Sequence, residues 1–130
     1  MKERVMKLNS NEFDRAVRRA YERIPAEIRE RMDNVVLTVK KRPTPEMLEE
    51  MGYPPDEPLL GLYWGASLPE HSFFSPPPLY PDTIYIFQAP LEEMCETLAE
   101  LEREIEITVV HEVAHFLGID EERLEELGYG

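Results

Sequence analysis

Apolar positions recur at helical spacing over residues 10–23, where Phe13, Val17, Ala20, Tyr21 and Ile24 fall along one side of the repeat. Asn9 or Ser10 supplies the polar cap that such a helix needs for its unpaired N–H groups. Pro25 opens a second, short helix through Met32, since proline suits a first turn. The pattern then changes. Asn34 to Lys40 (NVVLTVK) is short and β-branched, and it reads as a strand bounded by Asn34 and Pro43. Thr44 caps a helix through Met51, with Pro45 at its first position and Gly52 at its end. Two more strands follow, Leu59 to Trp64 (LLGLYW) and Thr83 to Gln88 (TIYIFQ). From Pro90 a long helical stretch begins, with Leu91, Met94, Leu98, Leu101, Ile105, Val109, Val113 and Phe116 on one apolar stripe and a break expected near Cys95 to Thr97. Gly118 ends it, and Asp120 caps a last short helix, Glu121 to Leu127.

Prolines interrupt the middle of the chain, and Gly65 to Asp82 is too long for a tight hairpin. Such a segment is either the rim or lid of a site or a stiff surface connection.

Composition narrows the class. A chain of 130 residues with 42% hydrophobic content suits one domain over residues 1–130 with a core of its own. No stretch of about 18 apolar residues occurs, so no membrane-spanning helix and no membrane partner are expected. The start, MKERVMKL, lacks the apolar run of a signal peptide. Cys95 is the only cysteine and has no internal partner, which points to a reducing cytoplasm. The formal charge of −13 argues against a nucleic-acid partner, because phosphates are repelled. Arg15, Arg18, Arg19, Lys40, Lys41 and Arg42 gather in the first third and read as a solvated face balancing the acidic C-terminal half.

The chemistry concentrates in one string. His111, Glu112 and His115 spell H-E-V-A-H. On a helix, residues four apart lie one turn apart on one face, so both imidazoles can reach one ion at roughly 2.0–2.1 Å, the usual zinc–nitrogen distance. Glu112 is turned by about 100° around the helix axis. Its carboxylate then lies beside the ion, placed to act as a base towards water. Beyond His115, Gly118 lets the chain turn sharply, so that a later residue can swing back. The full string H-E-V-A-H-F-L-G-I-D-E has the spacing of the long motif H-E-x-x-H-x-x-G-x-x-H, with Glu121 in the place of its last histidine. Glu121 is the expected third ligand and Asp120 the expected helix cap, with the reverse assignment as the competitor and Glu122, Glu125 and Glu126 as more distant carboxylates.

On these residues the chain resembles the small zincin-like metallopeptidases, sometimes called minimal zincins. The likeness extends to the short length, an N-terminal helix, a strand ending in a basic-proline stretch (KKRP, Lys40 to Pro43), a proline-rich middle, and a strand like DTIYIFQ before the helices of the motif. The resemblance implies an α+β, zincin-like fold: a small mixed β-sheet packed on an active-site helix, with zinc held by His111 and His115. In that family the place of Glu121 is usually Asp, or His in true metzincins. The chain also departs from metzincins in having no Met after Met94 to form a Met-turn.

The expected function is that of a zinc-dependent metallopeptidase acting on a peptide or protein substrate, with Glu112 as general base and His111, His115 and Glu121 as ligands. The rivals are a non-catalytic zinc-binding module whose acidic surface takes a partner, and a metal hydrolase of another class. Lesser candidates are Thr108 and Glu104, either orienting an imidazole or merely solvated; His71, in the proline loop; and Tyr80, Tyr85 and Tyr129, as oxyanion donors. Thr83 to Gln88 is either a peptide-pairing edge strand or a core strand. Cys95 reads as a small buried hydrophobe.

Overall fold

A computed structural model describes residues 6–65 and 82–130. Helix α1 (Ser10–Arg23) starts at Asn9, whose side chain accepts from Glu12 N–H while Glu12 reaches back to Asn9 N–H. This reciprocal cap satisfies two of the free donors at the helix start. The short α2 (Ala26–Arg29) and a 3-10 turn (Glu30–Met32) lead to β1 (Val35–Lys40). Helix α3 (Pro45–Met51) is capped by Thr44 and stopped by Gly52 at φ 79°. Then come β2 (Gly61–Trp64), β3 (Asp82–Phe87), α4 (Gln88–Glu93), α5 (Leu98–Leu117) and α6 (Glu121–Leu127). Pro90 is the third residue of α4 and does not open the long helix. The expected break is real: Thr97 caps α5 in a second reciprocal pair with Glu100, and a polar cap there outcompetes a continuous helix.

The strands form a mixed sheet ordered β1-β3-β2. β1 runs parallel to β3, with Leu37 opposite Ile84 and Val39 opposite Ile86. β2 runs antiparallel to β3, with Tyr63 opposite Ile84. Thr83 to Phe87 therefore lie in a central strand, paired on both sides and with no edge for a peptide, while Gln88 already belongs to α4; among the described residues β1 and β2 flank it. Helix α5 packs against α1 and against the sheet. Phe13, Ile28, Ile84, Ile86, Leu101, Ile105, Val109 and Val113 are almost wholly buried at that junction. The apolar stripe is narrower than its sequence pattern: Met94, Leu98 and Phe116 are exposed. The arginine cluster is partly structural, since Arg19 and Arg23 of α1 both pair with the buried Glu102 of α5, and Arg42 pairs with Glu93. Cys95 is buried, as expected. No helix among the described residues is long and apolar enough to cross a membrane.

Gly61 sets how closely β2 approaches α5. A Cβ there would stand 2.6 Å from Thr108 Cγ2 and 3.1 Å from the Tyr85 carbonyl. A side chain at this point must push the strand off the helix. Gly61→Val is therefore expected to lower stability by about 1–3 kcal/mol, the usual range for overpacking, read as a lower urea midpoint. An unchanged midpoint would show that β2 can lift without cost.

Candidate metal centre

The last turns of α5 carry the motif. Val109, Val110 and Val113 are buried and fix which side of the helix faces the core, so His111 and His115 emerge exposed on the opposite side. Gly118 ends the helix at φ 80°. Arg31 holds this turn by donating to the carbonyls of Leu117 and Gly118 at 3.1 and 3.2 Å. A cation there also complements the negative end of the helix dipole. The turn brings α6 alongside the histidines.

His111, His115, Glu121, Glu125 and Tyr129 line one cleft of about 590 Å³, with Ala114, Ile119 and Leu124 supplying apolar wall. That volume lies in the range of small-ligand sites. Asp120 does not line it. Its Oδ1 accepts from Arg123 N–H at 2.9 Å, the expected capping bond. Glu126 is tied to Arg123 at 2.8 Å, and Arg123 also binds Glu27. The side-chain carboxylates of Glu121 and Glu125, one turn apart, make no hydrogen bond or ion pair among the described residues.

Glu112 lies on the other flank of the histidine ridge, against β2. Its Oε1 accepts from Tyr63 N–H at 2.8 Å. Among the described residues β2 pairs with β3 alone, so this N–H points away from β3 and needs a partner. Burial raises the carboxyl's pKa; the Tyr63 N–H bond and the nearby His115 and His111 oppose that rise. Phe116 braces the same flank, stacked on Tyr63 at 4.8 Å and edge-on to His115 at 5.0 Å. Tyr63 in turn donates its hydroxyl to Asp82. Neither Tyr63 nor Phe116 stood out as a site residue in the sequence, because a main-chain donor leaves no residue-type signal and Phe116 continues the apolar stripe.

Thr108, Glu104, Tyr85 and the Tyr129 hydroxyl lie elsewhere than the histidine cleft requires. Thr108 is buried against Gly61, so it is neither a solvated residue nor an imidazole partner. Among the described residues Glu104 makes no hydrogen bond to either histidine. Tyr85 packs beside Phe87 and Lys40, and the Tyr129 hydroxyl donates to Glu106, so neither aims at the cleft. His71 and Tyr80 lie outside the described residues.

Two imidazoles and a carboxylate are a donor set that zinc accepts. The histidines share one exposed face, and the carboxylates share their cleft. Among the described residues, no three His, Cys, Asp or Glu side chains converge closely enough to enclose an ion as they stand. The fit is thus one of donor type and common cleft. His111 Nε2 also lies 3.0 Å from the main-chain carbonyl of Tyr129.

Comparison with known proteins bears on the family. No curated protein matches the chain. A family model described as zincin-like metallopeptidase matches residues 32–130, which include both β2 and the whole histidine helix. The chain belongs to the zincin-like metallopeptidase family.

Proposed function

We infer that the protein is a zinc-dependent peptidase of the cytoplasm, with His111, His115 and Glu121 as ligands and Glu112 as general base. The observation that carries this reading is the two-sided histidine ridge: carboxylates for a third ligand on the α6 flank, and a half-buried carboxylate held by Tyr63 N–H on the β2 flank. When bound, zinc would polarise a carbonyl and lower the pKa of a coordinated water to about 7. Glu112 accepts the proton from the attacking water and returns it to the leaving amine. The Tyr63 N–H keeps that carboxylate facing the ridge through both transfers. The unpaired Glu121 and Glu125 disfavour strongly anionic substrates.

Digestion of a broad peptide library by the zinc-supplemented protein, with and without chelator, tests the reading. Chelator-sensitive cleavage is expected. A protein that binds zinc and cleaves nothing is instead a non-catalytic module presenting acidic α6 to a partner.

The third ligand has its own test. Glu121→Gln should weaken zinc binding by roughly tenfold or more, the range for disturbing a metal's ligand environment. Asp120→Asn should leave zinc affinity unchanged, because Asn also caps well. A zinc titration with the opposite pattern would make Asp120 the ligand. If neither substitution weakens binding, the third position is filled by water or by a more distant residue such as Glu125, which lines the same cleft.

A further inference from the structure

Gly128 closes α6 at φ 94° and turns the chain back towards α5. Tyr129 then enters the core and is 5% exposed. Its hydroxyl donates to the buried Glu106 of α5. Arg103, also on α5, binds the same carboxylate at 3.2 Å and donates to the Gly128 carbonyl at 2.9 Å. Its guanidinium lies 5.2 Å from the centre of the Tyr129 ring. A two-residue segment is thus anchored by a hydroxyl, a carbonyl and a ring. These anchors hold the Tyr129 carbonyl 3.0 Å from His111 Nε2.

A carbonyl oxygen only accepts, so Nε2 carries the proton in this contact. A neutral imidazole has one N–H, which leaves the lone pair on Nδ1. Nε2 is the ring nitrogen farther from the helix backbone. It is therefore the atom through which two imidazoles on adjacent turns reach a shared point beyond the helix surface.

We propose that Gly128–Tyr129 is a self-blocking strap, whose main-chain carbonyl holds His111 in the tautomer that withholds Nε2 from a metal ion. This rests on the reading of His111 as a ligand. Loading then requires the strap to lift, and the apparent affinity for zinc is reduced by the fraction of molecules in which it is down. The device controls occupancy of the site and adds no group to the chemistry.

The test compares zinc affinity, by competition with a chromogenic chelator, for the wild type, Tyr129→Phe and Arg103→Lys. Tyr129→Phe removes the hydroxyl anchor; Arg103→Lys removes the guanidinium that joins Glu106 to the Gly128 carbonyl and keeps the positive charge, so loss of a nearby cation is controlled. Losing one hydrogen bond shifts the strap's equilibrium by about two- to tenfold, so each variant should bind zinc that much more tightly. Long-range 1H–15N spectra of the metal-free wild type should show His111 protonated on Nε2. Unchanged or weaker binding in a variant with a wild-type amide spectrum overturns the strap. Weaker binding would make the carbonyl an orienting partner for an ion on Nδ1. Protonation of His111 on Nδ1 overturns it without any variant, so misfolding of either substitution does not protect the idea. Wild-type zinc binding by His111→Ala/His115→Ala would instead remove the ligand assignment itself, a result distinct from failure of the strap alone.

Discussion

Glu112→Gln is expected to keep the zinc and lose about 10²–10⁴-fold in peptide hydrolysis, the usual contribution of a positioned general base. Gln matches Glu in size, and its Oε1 can still accept the Tyr63 N–H bond, so the flank between α5 and β2 should hold its shape. What disappears is the oxygen able to take a proton. Burial raises the Glu112 carboxyl, which strengthens it as a base relative to an exposed carboxylate. Its place on the β2 flank, outside the cleft shared by His111, His115 and Glu121, separates it from the proposed ligands. Metal content per chain and kcat/KM on a cleaved peptide are the two measurements. Loss of most zinc would make Glu112 a ligand, and undiminished hydrolysis would move the base elsewhere.

The double substitution His111→Ala/His115→Ala should remove nearly all bound zinc and leave a folded protein. Both side chains are exposed, and alanine is the strongest helix former, so α5 loses little by the change. The wild type should gain thermal stability when zinc is added, because an ion that binds only the folded state stabilises it, by about 2.7 kcal/mol at a hundredfold excess over Kd. The double variant should show no such shift. Equal metal content in the two proteins would sink the assignment of the histidines.

Much of the local structure was legible along the chain. Asn9, Thr44, Asp120 and the glycines Gly52 and Gly118 mark helix ends through chemistry confined to a few neighbouring residues, and those ends lie where that chemistry puts them. The sharing of one helix by His111 and His115 was legible for the same reason. The strand order was not. TIYIFQ has the same β-branched and aromatic character in an edge strand as in a central one, and only its pairing with β1 and β2 decides between them. Thr108 was misread because a small polar residue next to an apolar stripe looks solvated until Gly61 lets a strand cover it.

By itself, the sequence determined the capped helix ends at Asn9, Thr44 and Asp120, the placing of two imidazoles and a carboxylate on adjacent turns, and the glycine that turns the chain back towards them; it did not give the start of the helix at Gln88. Each depends on residues within about one or two helical turns, where backbone geometry is set by residue type. The tertiary structure alone decided what those side chains meet. Glu112 accepts from Tyr63, forty-nine residues away. Glu121, and not Asp120, faces the histidine cleft. The carbonyl of Tyr129 reaches His111 because a buried hydroxyl and an arginine on the same helix hold it there. A main-chain N–H or carbonyl is the same in every residue that carries it, so its partner is chosen by packing and leaves no mark in the sequence.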